Sequence, residues 1–263
     1  MATKATNGQA ASARVPIAKA VGLCLFRSVI RGARNRKTAA RIWRIASRGA
    51  ALLLLIPAIL VPVYRFVPPV STLMVFDWVV RGGKVERNWK PLDAISPTLI
   101  ASVTMSEDGR YCSHNGVDWS ELGKVLDRSN DRPRGASTIA MQSVKNLFLW
   151  PSRSYLRKGV EMPMALYADA VWGKRREMEI YLNVAEWGPG IFGAEAAARH
   201  YFHRPAQDLT AGQSALLAAT LPNPAERDPG HPTAGLQALA GSIAAKARTA
   251  DAYIDCLYPG PPL

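Results

Sequence analysis

An uncharged apolar segment near the N-terminus constrains the fold of this chain more than any other feature. Residues 49–63 read GAALLLLIPAILVPV and contain no charged side chain. They fall short of the roughly 20 residues that an untilted membrane-spanning helix needs, but apolar residues continue to position 70 and Arg65 can extend its charged end to the interface. A buried core helix is the alternative, and two prolines with apolar residues on every face suit it poorly. The sequence therefore predicts one transmembrane helix over residues 49–70.

The excess positive charge of the chain lies in front of this segment. Of the 33 Lys and Arg residues, eleven fall within residues 1–48, which contain no Asp or Glu, and the remainder of the 263-residue chain is close to neutral. A nucleic-acid-binding domain carries its basic residues on the folded body, so nucleic acid is not a predicted partner. Basic residues beside a membrane segment stay in the cytoplasm, and a cleaved signal peptide has a shorter basic region. We therefore expect a cytoplasmic tail (1–48), a transmembrane helix (49–70) and one domain outside the cytoplasm (71–263).

The three cysteines, Cys24, Cys112 and Cys256, form no Cys-x-x-Cys pair and have no histidine at the spacing of zinc ligands. They therefore predict no metal site. In an oxidising compartment Cys112 and Cys256 can pair, but the sequence alone does not give the distance between them.

Capping residues and apolar spacing predict a mostly α-helical domain, because alternating apolar runs of strand length are scarce. The Ser-Pro pair at positions 96–97 is typical of a helix start, and this helix would carry Glu107 at its far end. Asp118, and either Ser137 or Thr138, are predicted to begin two more helices. Further helices are predicted over residues 174–183, 209–220 and 235–257, and loops over residues 127–136, 149–154, 187–193 and 222–233.

Five short motifs follow one another between residues 90 and 230. They read EDGRYCSHNG from Glu107 to Gly116, GASTIAMQ from Gly135 to Gln142 with Lys145 and Asn146 after it, RKGVE from Arg157 to Glu161, YLNVAEWG at residues 181–188 and AATLPNP at residues 218–224. Each motif alone is a weak indication. All five in this order resemble the peptidoglycan glycosyltransferases, and the compact length resembles the monofunctional biosynthetic peptidoglycan transglycosylases in particular. The resemblance implies a lysozyme-like helical glycosyltransferase domain with a smaller membrane-facing lobe.

The resemblance also implies a reaction and the residues that carry it. The 4-hydroxyl of lipid II attacks the anomeric carbon of a growing strand, inverts it to a β-1,4 link and releases undecaprenyl pyrophosphate. Glu107 is expected to be the catalytic base, and Glu161 the second catalytic carboxylate, near the phosphates. The residues expected to bind substrate are Asp108, Ser137, Thr138, Gln142, Lys145, Asn146, Arg157 and Lys158. His114 and Gly116 are expected to have structural roles.

The same resemblance implies a location, a cofactor and partners. The chain is expected in the bacterial inner membrane with its catalytic domain in the periplasm, where lipid II and the growing glycan strand are its substrates. A divalent cation, Mg²⁺ or Mn²⁺, is expected to help the pyrophosphate leave, although the sequence does not identify its ligands. Neither a Ser-x-x-Lys nor a Lys-Thr-Gly motif occurs. Penicillin-binding transpeptidases or divisome proteins are therefore expected as separate partners that crosslink the product.

Two other functions compete with this hypothesis. A lysozyme-like enzyme that cleaves glycans also places a glutamate at a helix end, but it would not need the basic residues Lys145, Arg157 and Lys158. A non-catalytic module that binds lipid II or recruits wall-building proteins is the other alternative, because Met141 stands where the family usually has a glutamine.

Two further positions depart from the family pattern. Pro163 is expected to clash with the carbonyl of residue 159 inside a helix, where the glycine at position 159 would ease a kink. Asp169 replaces the Glu that is more frequent in the family, which is a conservative change.

Overall fold

The structure, a computed structural model, describes residues 36–80, 82–127, 137–150 and 154–258. Most of the predicted basic tail and parts of two predicted loops lie outside the described residues. The chain divides into two compact units, residues 1–56 and residues 57–263. The helices are α1 (Arg36–Tyr64), α2 (Thr72–Val80), α3 (Pro97–Glu107), α4 (Trp119–Asp127), α5 (Ile139–Phe148), α6 (Tyr155–Val184), α7 (Ala194–Phe202), α8 (Ala211–Thr220), α9 (Ala234–Ala247) and α10 (Asp251–Ile254). The prediction of a mostly α-helical protein is therefore confirmed.

Helix α1 contains most of the apolar segment and continues through both Pro57 and Pro62. Many of its large apolar side chains are exposed, namely Ile42, Trp43, Ile45, Leu52, Leu55, Ile56, Ile59 and Val63. Within the described part of the chain, we find no helix whose length and apolar content together suffice to cross a membrane.

The last two turns of α1 pack on α6. The indole Nε1 of Trp172 donates a hydrogen bond to the carbonyl of Val61 at 2.7 Å, and the hydroxyl of Tyr167 donates to the carbonyl of Ala58 at 3.0 Å. Val61 is completely buried in this contact. The end of α1 is therefore part of the same compact unit as the predicted glycosyltransferase domain.

Helix α3 forms as the sequence predicts, with Pro97 in its first turn and Glu107 as its last residue. Leu99, Ile100 and Val103 are almost completely buried, so the apolar face of the helix points into the protein. The Ser96 hydroxyl bonds to Thr98 and to the carbonyl of residue 209 instead of capping the helix. Packing of this face fixes the helix and thereby the position of Glu107.

Two apolar cores lie on either side of the predicted site. The first packs α3 against α8 and α9, and the second packs α5 against the first half of α6 and the end of α1. Small residues such as Ala215, Ala218 and Ala240 allow the helices of the first core to approach closely. Helix α3, which carries Glu107, packs in the first core, and helix α6, which carries Arg157 to Glu161, packs in the second.

Helix α6 contains the proline that was expected to disturb it, yet its break lies elsewhere. The helix continues through the exposed Pro163, whereas Gly173 adopts φ 69° and ψ 162°, a conformation that favours glycine. The predicted helix 174–183 is the part of α6 that follows this break, and its residues Met178, Tyr181 and Leu182 are buried as predicted.

Two predictions of secondary structure were wrong. The stretch predicted as one helix over residues 235–257 contains α9, then α10 and a short 3₁₀ helix (Asp255–Leu257), because the chain turns at residues 248–250. The predicted loop 187–193 instead forms most of a small sheet with strands β1 (Glu86–Arg87), β2 (Glu186–Gly188) and β3 (Ile191–Phe192), in the order β1-β3-β2. Strands β1 and β3 are parallel, and strands β2 and β3 are antiparallel. Strands this short give no readable alternation in a sequence.

The cysteine pairing that the sequence left open is present. Cys112 and Cys256 form a disulfide across 144 residues, with their Cα atoms 5.7 Å apart. Cys112 belongs to a 3₁₀ helix (Tyr111–Ser113) that follows α3, and Cys256 belongs to the 3₁₀ helix that follows α10.

Candidate active site

Glu107 ends α3 and is held by side-chain donors. The amide Nε2 of Gln142 on α5 donates to Glu107 Oε2 at 3.0 Å, and the hydroxyl of Ser106 donates to Oε1 at 3.3 Å. The hydroxyl of Tyr181 on α6 donates in turn to Gln142 Oε1 at 3.2 Å. A carboxylate held in this way has a fixed orientation, and its remaining lone pairs can accept a proton.

Burial raises the pKa of Glu107 above its ordinary value. The hydrogen bonds from Gln142 and Ser106 and the charge of Lys145 act in the opposite direction, because they stabilise the carboxylate form. The balance leaves a carboxylate that binds a proton more tightly than an exposed glutamate does. That property suits a general base.

Asp108 connects Glu107 to the start of α5. Its Oδ1 lies 2.9 Å from Nε2 of His114, and its Oδ2 accepts from the backbone N–H of Ile139 at 3.0 Å. Both carboxylate oxygens therefore have protein partners, and the side chain is buried. Asp108 thus links His114 to the start of α5, and the structural role expected of His114 stays a prediction.

Thr138 is the residue that begins α5. Its Oγ1 accepts from the backbone N–H of Met141 at 3.2 Å and donates to the carbonyl of Gly116 at 2.6 Å. Gly116 has φ +75°, and a Cβ atom there would lie 2.6 Å from the carbonyl oxygen of Ala165 on α6. Only glycine fits this position without a shift of the backbone.

Glu161 on α6 is buried among basic side chains of the same helix. Its Oε1 pairs with Nη1 of Arg157, and its Oε2 lies 3.8 Å from Nζ of Lys158. Nζ of Lys158 also donates to the hydroxyl of Ser137 at 2.5 Å. Burial lowers the pKa of Lys158, and the charge of Glu161 opposes that change. Four residues that the sequence assigned to the site therefore form one cluster, which we call the cation cluster: Ser137, Arg157, Lys158 and Glu161.

Lys145 lies between the two carboxylates. It is on α5, three residues after Gln142, so both side chains project from the same side of the helix. Burial lowers the pKa of Lys145, and the charges of Glu161 and Glu107 both oppose this change. Lys145 is thus the group that couples Glu107 to the cation cluster.

The chain matches the model of the Transglycosylase family over residues 75–248. The chain belongs to this family. A protein of Brucella suis biovar 1 is 57% identical over 217 residues, which cover 81% of this chain and 96% of the relative. A protein of Agrobacterium fabrum is 55% identical over 209 residues, covering 78% and 92% of the two chains, and one of Rhizobium meliloti is 50% identical over 226 residues, covering 83% and 95%. All three relatives are called biosynthetic peptidoglycan transglycosylases, and this chain is accordingly an enzyme, a glycosyltransferase.

The departure at Met141 falls outside the polar face of the transglycosylase site. Met141 is almost completely buried in the second core, together with Val144 and Leu147 of the same helix. Gln142, the next residue, provides the amide that contacts Glu107. The polar contact nearest to the proposed base is therefore intact in this chain.

Asn146 lies near the end of α5, the helix that carries Gln142 and Lys145. It is buried, and its carbonyl accepts a hydrogen bond from the hydroxyl of Thr72 at 3.0 Å, which ties α5 to α2. Its predicted contact with substrate stays a prediction, as do the substrate contacts of Asp108, Ser137 and Thr138.

The residues of the site do not by themselves form a divalent-cation site. Mg²⁺ takes several oxygen ligands, usually one or two carboxylates with water and phosphate oxygens. Glu161 already faces Arg157 and Lys158, whose charges repel a cation. Among the described residues, Cys112, Asp255 and Cys256 have ligand atoms at metal-site distances, but the two sulfurs are joined as a disulfide. The expected Mg²⁺ or Mn²⁺ stays a prediction.

A second group of buried charges was not predicted. Lys174 pairs with Asp169 at 2.5 Å and lies 4.6 Å from the ring centroid of Tyr111. Glu177 is completely buried beside them, and neither of its oxygens accepts a well-aligned hydrogen bond from the described residues. Burial raises the pKa of Glu177 to about 8. The sequence did contain a signal, since Glu177 precedes the inward-facing Tyr181 by four residues and shares its helix face.

Proposed function

We propose that this enzyme polymerises peptidoglycan glycan strands from lipid II, with Glu107 as general base and undecaprenyl pyrophosphate as leaving group. The observation that carries the proposal is the carboxylate of Glu107, held by Gln142 of α5, with Lys145 one turn further along α5 and subject to the charges of both Glu107 and Glu161. Transfer from a pyrophosphate donor needs a base at the acceptor hydroxyl and positive charge at the leaving oxygens. The site contains a candidate group for each need.

In the proposed reaction the proton of the acceptor 4-hydroxyl passes to an oxygen of Glu107. The hydroxyl oxygen forms a bond to the anomeric carbon, and the bond from that carbon to the pyrophosphate oxygen breaks with its electron pair. Attack opposite to the leaving group converts an α-linked donor into a β-1,4 product, by the stereochemical logic of inverting glycosidases. The raised pKa of Glu107 favours its protonated form after the transfer.

The cation cluster and Lys145 would bind the departing pyrophosphate. Without substrate, Arg157 and Lys158 share Glu161 as their partner. The half-buried Lys158 can turn from it toward a phosphate oxygen. Glu161 would then keep the basic side chains in place before substrate binds. Arginine and lysine at a partly dehydrated site bind phosphate through charge-assisted hydrogen bonds.

We further propose that α1 and the apolar surface near it hold the enzyme at the inner membrane, with the N-terminus in the cytoplasm and the site in the periplasm. Phe66, Val67 and Val70 after α1, and Trp78, Val79 and Val80 on α2, are all exposed. A contiguous exposed apolar surface of this kind is typical of a membrane or protein contact. The lipid tail of lipid II requires such a location.

The test is to supply the purified full chain in mild detergent with lipid II and, separately, with finished glycan strands. We expect polymer from lipid II, and we expect the polymer to be absent with the Glu107→Gln variant. Cleavage of finished strands without polymerisation would show a lysozyme-like hydrolase instead. Binding of lipid II with no extension would show a non-catalytic module.

The cofactor and partners are tested in the same system. Addition of a chelator followed by Mg²⁺ or Mn²⁺ should remove and then restore polymerisation if substrate phosphates complete the cation's ligand set. Purification in mild detergent should recover penicillin-binding transpeptidases or divisome proteins with the chain. Recovery of neither group of proteins would contradict this part of the proposal.

A further inference from the structure

The Cys112–Cys256 disulfide joins the loop that follows Glu107 to the C-terminal part of the domain. Cys112 lies five residues after Glu107, in the middle of the Tyr111–Ser113 turn. Cys256 lies near the end of the described chain, 144 residues away. No step of the proposed reaction uses either sulfur.

The Cys112 end of the bond belongs to the network that positions Glu107. The backbone N–H of Tyr111 donates to the carbonyl of Asp108 at 3.0 Å, and His114 bonds to the Asp108 side chain. Asp108 in turn accepts from the backbone N–H of Ile139 at the start of the helix that carries Gln142. A shift of Cys112 would therefore be transmitted to both the backbone and the amide partner of Glu107.

The Cys256 end of the bond is fixed to the first core. Ile254 and Leu257 on either side of it are buried, and Nη1 of Arg175 donates to the carbonyl of Leu257 at 2.7 Å. The segment from Asp251 to Ile254 also contacts the Tyr111–Ser113 turn and α3. The disulfide therefore adds a covalent link between the Tyr111–Ser113 turn, in which Tyr111 is itself buried, and a segment anchored by apolar packing.

The disulfide is accessible to thiols in solution. Cys256 is exposed and Cys112 is partly exposed. The neighbouring Ser113 and Asp255 are exposed as well. Exchange requires a thiolate to reach one sulfur of the bond, and exposed disulfides undergo it more readily than buried ones. We therefore expect a small dithiol to reach the bond in the folded domain.

We propose that the Cys112–Cys256 disulfide is a positioning element for Glu107, so that its reduction lowers turnover without removing substrate binding. A dithiol reductant attacks the sulfur of Cys256, and the bond to Cys112 breaks. The second thiol of the reductant then resolves the mixed disulfide. Two electrons and two protons end on the two cysteine thiols, and the reductant becomes a disulfide. This inference rests on the proposed role of Glu107 as base.

The test compares the Cys112→Ala/Cys256→Ala double variant with wild type and with Cys24→Ala, a matched control that leaves the disulfide intact. Lipid II polymerisation is measured before and after treatment with a dithiol. We expect kcat to fall about 10- to 100-fold in the double variant and in reduced wild type, with KM changed less than about twofold, because misplacement of a catalytic group by about 1 Å has effects of this size. Reduced Cys24→Ala should behave as reduced wild type does, and the double variant should not respond to the dithiol.

Circular dichroism at the assay temperature verifies that each protein is folded. If the double variant does not fold, reduction of folded wild type and reoxidation by a small disulfide provide the same comparison. Unchanged kcat in folded, reduced enzyme would overturn the inference. A change of KM as large as the change of kcat on reduction would overturn it as well. Full activity of Glu107→Gln would instead overturn the proposed function, so the two failures are distinguishable.

Discussion

Glu107, which is partly buried, and Glu177, which is fully buried, both have a raised pKa, yet their surroundings differ. Glu107 receives hydrogen bonds from Gln142 and Ser106 and is coupled to Lys145. Glu177 lies closed inside the domain, with a pKa of about 8 and no aligned hydrogen bond from the described residues. A raised pKa alone therefore does not identify the base. We propose Glu107 as the base on two further features: side-chain donors fix its carboxylate, and the charge of Lys145 acts on it.

The largest expected effect separates these two glutamates. Glu107→Gln should lower kcat about 10²- to 10⁴-fold, because the amide cannot accept the hydroxyl proton. Glu177→Gln should leave kcat within about threefold, because the residue is closed off from substrate. The measurement is lipid II polymerisation with both variants at equal concentration of folded enzyme. Equal losses in the two variants would remove the distinction between the two regions.

Lys145→Gln tests the coupling between base and cation cluster. We expect kcat/KM to fall about 10²-fold, since one charged donor to the leaving group is lost. Lys124→Gln is the matched control, because Lys124 is exposed and pairs with Glu121 on the surface. Steady-state polymerisation rates of both variants provide the comparison. Equal activity of the two variants would contradict the proposed role of Lys145.

Gln142→Leu tests how the donors tune Glu107. Loss of the amide donor removes a stabilisation of the carboxylate, so the pKa of Glu107 should rise further. The base is active only when deprotonated, so the acidic limb of the kcat profile should move to higher pH and activity on that limb should fall. Tyr181→Phe removes only the hydroxyl that orients Gln142 and should give a smaller shift. A limb that stays in place would exclude Gln142 from this role.

Glu177→Gln should change stability in a pH-dependent way. Because the folded-state pKa of Glu177 is raised to about 8, folding stability falls as pH rises from the ordinary value toward 8. Gln does not ionise, so the variant should be about 4 kcal/mol more stable at pH 8 and equal to wild type below pH 4.5. Urea unfolding at the two pH values measures the difference. A variant that is less stable than wild type at pH 8 would contradict the assignment.

Met141→Gln tests whether this departure from the family lies in the core. An amide buried among Val144 and Leu147 should cost about 1–3 kcal/mol of stability. Met141→Leu keeps the volume and should cost less than about 1.5 kcal/mol. Thermal unfolding of both variants gives the comparison. A more active Met141→Gln variant with unchanged stability would show that position 141 reaches the substrate.

The sequence predicted the parts of the fold that depend on local signals. The caps at Asp118 and Thr138, the helix that ends at Glu107 and the buried face of residues 174–183 follow from hydrogen bonding and periodicity within a few residues. The break at Gly173 and the turn at residues 248–250 were missed, because the first depends on one backbone angle and the second on packing. Apolar periodicity alone reports neither.

The features of the site also fall into a group that the sequence predicted and a group that it did not. The motifs predicted which residues belong to it, and the structure brings Glu107, Gln142 and Lys145 together with the cation cluster. The contacts of two acids were not predictable, since Asp108 bonds to a backbone N–H thirty-one residues away and Glu177 is buried beside Lys174 and Asp169. Such contacts depend on how helices cross, and a single sequence does not report that.

Gly116 has a consequence for the distance between Glu107 and the cations of α6. Its α-carbon faces the backbone of α6 at Ala165, and the helix that carries Arg157 and Lys158 is the same one. The loop that follows Glu107 and helix α6 therefore touch where residue 116 has no side chain. A single methyl group at this position would act as a spacer, moving acid and cations apart by a fraction of an ångström without touching either. The distance from the proposed base to the cations that would bind the leaving group therefore depends on residue 116 having no side chain.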